Sequence, residues 1–341
     1  GLSREANVLA AKYTHSAFKM SLADAQRLLV QATDGAYFQA QLGRERLRIT
    51  RADVEFSSQQ LEAVRKRRTA GKATEADVLN FQVRLLAART DEQAALGLYD
   101  NARIALAELM GMDDARLPDD VKLSPLEAES EDELTAPDAD EWVQKAWAAR
   151  PDLAQAEFEL KSKTEQVKSI KGQFSPSILL NGSYGFDRLS NLEYSVDDQA
   201  SAGAIELRWN LFTGGFRTSR LRQTQAQRWE LLANLRRRRQ KVASEVRQSV
   251  TTLVNSQEQV RLQDMNLVAA QENRRIVEKE FAAGKASLVR LNEAQRDLIG
   301  TDAGLALARI RLRQAWTDLR AAAAVHQWEA GPPGRQDWWP R

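Results

Sequence analysis

The chain has 341 residues, with 49 Lys and Arg against 47 Asp and Glu, and this near-balance gives no reason to expect a nucleic acid or another polyanion as a partner. The absence of Cys excludes disulfide bonds, thiol catalysis and cysteine-ligated metals. No apolar run approaches the roughly 18 residues that mark a membrane-spanning helix. His15 and His326 are isolated, and the carboxylates follow helical charge patterns. The sequence therefore predicts that the protein is not an enzyme and has no metal or cofactor site.

Residues 1–111 are predicted to form two long antiparallel helices. Good helix formers continue without a proline to about residue 66, and a second helical pattern returns from about residue 74 and stops at a glycine. Gly71 lies between the two patterns and suits the left-handed conformation that ends a helix. The returning helix carries an apolar stripe, which Glu92 interrupts: Val78, Leu85, Tyr99 and Leu106.

The composition changes after this first helical hairpin. Residues 112–140 combine three prolines with many acidic side chains, which predicts an irregular connector rather than a core element. Residues 141–176 return to helical patterns that lead to the next element. These patterns break at Arg150, and Pro151 is well placed in the first turn of a new helix.

Residues 177–212 carry the only β-strand signal of the chain. Apolar and polar residues alternate over 177–186 and again over about 203–212, so we predict an antiparallel hairpin with a polar loop. One face is apolar and the other carries Glu206 and Arg208, as expected of barrel strands that contact lipid on one side and water on the other. A two-stranded ribbon on a soluble helical body fits the same alternation, although an isolated hairpin is only marginally stable in water. The residues predicted to face lipid are Tyr184, Phe186, Leu207 and Trp209.

Residues 213–325 are predicted to form a second helical hairpin. A long stretch without Gly or Pro precedes a turn at Gly284, and a leucine then recurs at every seventh position from Leu291 to Leu319. A sustained seven-residue repeat predicts a coiled-coil seam. Ser287 can cap the helix that carries the seam.

Two further segments of this half have no predicted binding role. Four consecutive arginines at 236–239 point in all directions around a helix, so a solvated or lumen-facing stretch explains them better than a nucleic-acid site. The Trp-rich tail at 326–341 is predicted to be disordered.

The two helical hairpins are copies of one another. Ala-Gly-Lys-Ala occurs at both turns, where Gly71 and Gly284 lie 213 residues apart, and flanking residues correspond at the same offset. A period this long indicates a duplicated domain rather than a solenoid repeat. The predicted fold is therefore mainly α, with long antiparallel helical hairpins in two duplicated halves and one membrane β-hairpin.

The order of these elements resembles the TolC-like outer-membrane efflux protein family. The resemblance covers the chain apart from the connector and the tail, and no single motif is diagnostic. It implies that three protomers form an α-helical barrel through the periplasm beneath a twelve-stranded barrel in the outer membrane of a Gram-negative bacterium. The segments that carry it, before the second Ala-Gly-Lys-Ala turn, are Arg150-Pro151-Asp152-Leu153, Phe174-Ser175-Pro176 and Trp209-Asn210-Leu211-Phe212-Thr213-Gly214-Gly215.

The resemblance also implies the function. The protein would be a passive exit duct of a tripartite efflux or type I secretion system, working as a homotrimer with a periplasmic adaptor and an inner-membrane pump. A periplasmic adaptor is the alternative function, because adaptors also use a long helical hairpin. Adaptors usually have one such hairpin between β-rich domains, whereas this sequence has two hairpins and little other strand.

One departure from the family concerns the start of the chain. At the 213-residue offset Gly1 corresponds to Gly214, the glycine that follows the β-hairpin. We therefore expect the chain to be truncated at its N-terminus, with the β-hairpin of the first repeat missing. A family variant with one β-hairpin per protomer is the alternative.

The resemblance assigns roles to both turns. Gly71, Lys72, Gly284 and Lys285 form the tips at which an adaptor is expected to dock. A gate is expected just past the tips, and its candidate residues are Asp77, Asn80, Phe281, Arg290 and Glu293.

This chain departs from the archetype at the gate. The archetype has aspartates at the positions of Asp77, Arg290 and Glu293 and a tyrosine at that of Phe281. In this chain the ring of acids is therefore incomplete, and the tyrosine hydroxyl is absent. In their place we predict an Asp77–Arg290 ion pair between the two tips. The alternative is two solvated charges at wet helix ends.

Overall fold

The computed structural model describes residues 2–118, 121–186 and 199–325. Strands β1 (Ser177–Phe186) and β2 (Gln199–Arg208) form an antiparallel sheet. The tail at 326–341, predicted to be disordered, lies outside the described residues. No helix within the described ranges combines the length and the apolar character needed to cross a membrane. The helices are α1 (Leu2–Thr69), α2 (Glu75–Leu109), α3 (Ala139–Ala149), α4 (Pro151–Gly172), α5 (Phe216–Ala282) and α6 (Leu288–Ala323).

The chain divides into two compact units. The first unit comprises Gly1–Ala23 and Pro151–Gln240, and the second comprises Asp24–Arg150 and Lys241–Arg341. Helices α1 and α5 contribute to both units, because they are 68 and 67 residues long and contain no proline. The mainly α fold predicted from the sequence, with long helical hairpins and one small antiparallel sheet, is confirmed.

The leucine repeat forms the seam of the second unit. Leu291, Leu305, Leu312 and Leu319 of α6 are buried, and Leu298 is half-buried. On the other side of this unit α1 and α2 approach closely at Gly43, where an added Cβ would lie only 2.9 Å from the Cα of Tyr99. Any side chain at Gly43 would therefore push the two helices apart.

A buried polar cluster joins three helices of the second unit. The carboxylate of Asp53 on α1 accepts hydrogen bonds from Arg84 Nη2 on α2, at 3.3 and 3.1 Å, and from Gln295 Nε2 on α6, at 3.2 Å. Asp53 and Gln295 are each 5% exposed, and Ser57 lies buried one turn further along α1. Directional bonds at a buried site permit only one register, so the cluster fixes α2 and α6 against α1.

The acidic connector is held in the second unit by helix side chains. Gln257 on α5 donates its Nε2 hydrogens to the carbonyls of Glu133 and Thr135, at 3.0 and 3.1 Å. Trp316 on α6 donates its indole N–H to the Glu133 carbonyl at 2.9 Å. These donors satisfy backbone carbonyls that belong to no helix or strand.

The β-hairpin belongs to the first unit and differs in one respect from the prediction. Its strands pair from Ser177 opposite Arg208 to Phe186 opposite Gln199, so the predicted second strand, 203–212, is wrong by four residues at each end. Trp209 consequently lies outside β2. The residue that would face it is Pro176, which has no N–H to extend the ladder.

Candidate functional site

The two tips between the long helices have the same backbone structure. In each, the lysine after the glycine donates its N–H to a carbonyl five residues earlier at 2.8 Å, and the glycine N–H bonds three residues back, at 2.9 and 3.0 Å. These are Schellman motifs. Gly71 and Gly284 have φ angles of 69° and 74°, and a Cβ at either would meet no atom within 4 Å. Glycine is therefore required by the backbone angle, while Lys72 and Lys285 lie exposed beside it.

Asp77 caps helix α2 at the first tip. Its Oδ2 accepts hydrogen bonds from the N–H and the hydroxyl of Thr74, both at 2.8 Å, and its own N–H donates to Thr74 Oγ1 at 3.2 Å. The two residues form a capping box. The hydrogen bonds from the Thr74 N–H and then from its hydroxyl hold the pKa of Asp77 below its ordinary value. Asn80, the next gate candidate, is exposed.

Arg290 occupies the equivalent position of the second tip. Its N–H donates to Ser287 Oγ at 3.3 Å, but a guanidinium has no acceptor with which to complete a capping box. Arg290 Nη1 instead pairs with Glu280 on α5 at 3.1 Å. Within the described part of this chain Asp77 and Arg290 thus have separate partners and do not form the predicted ion pair. Glu293, one turn further on, is exposed.

Phe281 connects the two helical hairpins at their tips. Its ring centroid lies 6.4 Å from that of Phe81 on α2, and the Arg67 guanidinium of α1 lies 5.0 Å above the ring. A cation–π contact and apolar packing therefore occupy the position where the archetype has a tyrosine. The buried cluster against which Phe281 packs consists of Leu61, Val64, Val78, Phe81 and Leu85.

Two contacts between helices were not predicted from the sequence: the packing of Phe81 against Phe281, and the buried cluster at Asp53. Phe81 continues the apolar stripe of α2 between Val78 and Leu85, so its burial could have been predicted. The Asp53 cluster gave a weaker signal, because one carboxylate within a long, highly charged helix looks like an ordinary surface residue until Arg84 and Gln295 are brought beside it.

Helices α2 and α5 form the two exposed edges of the second unit. Above the tips, ion pairs connect α2 to α1, α1 to α6, and α6 to α5: Arg51–Glu92, Arg48–Asp302 and Arg309–Asp264. Each edge carries large apolar side chains that are at least 40% exposed. Those on α2 are Leu79, Val83, Leu86, Leu98 and Ile104, and those on α5 are Val254, Leu262, Met265, Val268 and Ile276. Apolar side chains exposed along both helices favour contacts with another chain at these edges.

The β-hairpin of the first unit has one apolar and one polar face. Directly paired residues share a face, and the five large side chains on the apolar face are 65–80% exposed: Ile178, Leu180, Tyr184, Ile205 and Leu207. Glu206 and Arg208 lie on the opposite face and pair at 2.8 Å. Of the other residues predicted to face lipid, Phe186 ends β1, and Trp209 follows β2 and donates its indole N–H to the Phe174 carbonyl at 3.2 Å.

Comparison with known proteins identifies the family. A family model for outer membrane efflux proteins matches residues 1–112 and 142–325, and the chain belongs to this family. The chain is 25% identical over 306 residues to the alkaline protease secretion protein AprF of Pseudomonas aeruginosa, covering 88% of this chain and 62% of AprF. It is 28% identical over 197 residues to protein CyaE of Bordetella pertussis, covering 57% of this chain and 40% of CyaE. The chain therefore spans less than two thirds of the length of these relatives.

Solved structures support the fold. The outer-membrane channel OprN matches with a TM-score of 0.81 at 22% identity, over 94% of this chain and 71% of OprN. The outer membrane protein VceC of Vibrio cholerae matches with a TM-score of 0.79 at 18% identity, over 94% of this chain and 75% of VceC. The resemblance inferred from the sequence is confirmed, and the adaptor alternative is not favoured.

Proposed function

We propose that this chain is a protomer of a passive exit duct that crosses the outer membrane and extends into the periplasm, serving a tripartite efflux or type I secretion system. The observation that carries the proposal is the one-sided β-hairpin. The large side chains of its apolar face are 65–80% exposed, while its other face carries a charged pair. Such a surface is stable where one side contacts lipid and the other contacts water. Relatives named for protease secretion and for pyoverdine export leave the cargo open.

Assembly of the duct uses the two edges of the second unit. The edges lie on different helices, so a contact between α2 of one copy and α5 of the next is heterologous and repeats around a ring. Leu86 and Val268 are 54% and 62% exposed and lie 15 and 16 residues from the tip glycines of their respective hairpins. At about 1.5 Å per residue, this places them at the same height in neighbouring copies. A homotrimer closes the ring.

A cysteine crosslink tests this assembly. The sequence has no Cys, so Leu86→Cys combined with Val268→Cys places the only two thiols of these 341 residues at the proposed contact. Oxidation of the double variant in outer membranes should produce a covalent ladder that ends at the trimer on a denaturing gel. Each single variant should stay monomeric and serves as the control. A double variant that remains monomeric after oxidation would contradict the proposed interface.

The tips dock the periplasmic adaptor that connects the duct to its inner-membrane pump. Both tips expose a lysine beside a glycine whose Cβ position is open, so a partner can approach the backbone closely. Lys285→Trp keeps the required glycine and should abolish export without changing trimer formation. Lys279→Trp, an exposed lysine on α5 before the turn, is the matched control. Export that survives Lys285→Trp would argue against docking at this tip.

Deletion of the gene tests the function itself. Export of drugs, metals and secreted protein is measured in the deletion strain and after restoration of the gene. The proposal requires that one of these cargo classes accumulates in the mutant and is exported again on restoration. Normal export of all three in the mutant would refute it.

A further inference from the structure

A groove lined mostly by polar residues lies within the first unit, between three helices. Its volume is about 750 Å³, and its floor is built from small or buried side chains of α1, α4 and α5: Ala10, Ser169, Ile170 and Thr224. The hydroxyls on the floor already have partners. Ser169 Oγ lies 3.1 Å from Ser3 Oγ, and Thr224 Oγ1 donates to the Arg220 carbonyl at 2.9 Å.

The rim of the groove is mostly polar, and one of its side chains, Thr14, already donates to the Ala10 carbonyl at 2.9 Å. The rim consists of Asn7, Thr14, Gln166, Gln173, Arg220, Gln223 and Gln227. The guanidinium of Arg220 is exposed and has no hydrogen bond or ion pair within the described part of the chain. Lys163 Nζ donates to the Gln227 Oε1 at 3.3 Å, which leaves the amide hydrogens of Gln227 free to donate elsewhere. None of the described residues that line this groove is acidic.

The sequence of α5 in the first unit is also rich in positive charge. Between residues 217 and 239 helix α5 carries eight arginines and one acidic residue, Glu230. Several of these arginines are already engaged by other groups. Arg239 pairs with Glu157 at 2.7 Å, Arg228 stacks on Trp229, and Arg217 donates to the Gln173 carbonyl at 2.9 Å. Arg220 differs from them because it faces a roomy site lined by neutral donors.

We propose that this groove binds anionic groups, carboxylates or phosphates, with Arg220 as the charged contact and the amides of Asn7, Gln173 and Gln223 as neutral donors. A guanidinium supplies two parallel N–H donors to such a group, and no carboxylate in the lining repels it. The polar lining favours a water-filled passage over a protein or lipid contact. If the chain forms the proposed exit duct, the groove makes the passage selective for anionic cargo.

Binding of citrate to the purified protein tests the groove without relying on conduction. Arg220→Gln should weaken citrate binding about tenfold, the factor expected for loss of one hydrogen-bonded charge contact. Arg220→Lys keeps the charge but loses the two parallel donors, so it should weaken citrate binding less than Arg220→Gln does. Arg222→Gln is the matched control, because Arg222 is exposed, does not line the groove and lies about 200° further around the helix. Equal binding by Arg220→Gln and the unmodified protein, or an equal loss in Arg222→Gln, overturns the proposal.

Conductance in planar bilayers then tests the role of the groove in transport. In a potassium chloride gradient the reversal potential gives the chloride-to-potassium permeability ratio. Arg220→Gln should lower this ratio about sixfold, because one unit charge about 8 Å away in water changes the occupancy of chloride and of potassium about 2.4-fold each, in opposite directions. An unchanged ratio overturns the claim of selectivity. A protein that binds citrate through Arg220 but does not conduct refutes the exit duct and leaves the groove established.

Discussion

Removal of the Asp53 carboxylate should destabilise the second unit strongly. Asp53→Ala leaves the Arg84 guanidinium, 16% exposed, without its partner. It also removes the only hydrogen bond that the buried Gln295 amide nitrogen makes among the described residues. Breaking a buried ion pair costs about 3–5 kcal/mol. Arg84 can turn partly into solvent, so we expect a loss of about 3 kcal/mol. For a unit of this size that corresponds to a fall in melting temperature of about 6–12 °C, which circular dichroism of the helices can measure.

Two controls separate this effect from a general weakening of α1. Arg51→Ala removes the ion pair with Glu92 that also joins α1 to α2, but Arg51 is 60% exposed, so its loss should cost no more than about 1 kcal/mol. Combining Asp53→Leu with Arg84→Met replaces the buried charges by apolar groups and should restore part of the stability lost in Asp53→Leu alone. Equal melting temperatures for Asp53→Ala and Arg51→Ala would refute the assignment of a buried polar link.

Three further predictions concern the tips and the hairpin. Phe281→Ala should lower the unfolding free energy, measured by denaturant titration, by about 2 kcal/mol. This is roughly half the cost of removing a fully buried aromatic ring, because Phe281 is only partly buried. A loss below about 0.5 kcal/mol would contradict its role between the two helical hairpins. Leu207→Arg should reduce the amount of assembled protein recovered from the outer membrane, because a charge on a lipid-facing strand costs about 2–4 kcal/mol at mid-bilayer. Arg208→Ser, on the opposite face, should leave this amount unchanged. Equal recovery of the two variants would count against insertion of the hairpin into the membrane. The lowered pKa of Asp77 means that its capping contribution is complete above the ordinary pKa of 3.8 and disappears as pH falls through the lower folded value. The melting-temperature difference between native protein and Asp77→Ala should therefore shrink in acid, and a constant difference would exclude the carboxylate as its cause.

The sequence predicted periodic features well and isolated contacts poorly. The leucine repeat from Leu291 to Leu319 predicted the seam because a seven-residue period constrains one face over many turns. The alternation of apolar and polar residues correctly predicted a strand at β2 but not where it ends. Trp209 continues the alternation, although the last residue of β1 with which β2 can pair lies opposite Arg208. The number of paired residues is limited by Pro176, which precedes β1, and the alternation within β2 contains no information about that residue. The Asp53 cluster depends on three helices meeting, and no local pattern contains that information.

The duplication explains why the predicted Asp77–Arg290 ion pair does not form within the chain. Asp77 and Arg290 lie 213 residues apart, like the two tip glycines, so they are the same position in the two copies. In each copy that position is the third residue of a helix and its N–H bonds to the capping hydroxyl, of Thr74 or of Ser287. An aspartate there returns a hydrogen bond to its own cap, whereas an arginine has to find an acceptor elsewhere, and Glu280 across the turn supplies one.

The two tips therefore have the same backbone structure but differ in how strongly the start of the following helix is stabilised. The start of α2 is closed by reciprocal hydrogen bonds between Thr74 and Asp77, while the start of α6 has one capping bond and an exposed ion pair. Exposed ion pairs contribute little, so the first turn of α6 is held mainly by its apolar contacts and by Phe281 just before the turn. Apolar contacts are not directional and can exchange partners as helices shift, which a closed capping box cannot do. Movement at the tips is for this reason expected in the second hairpin, with the first hairpin as the fixed side.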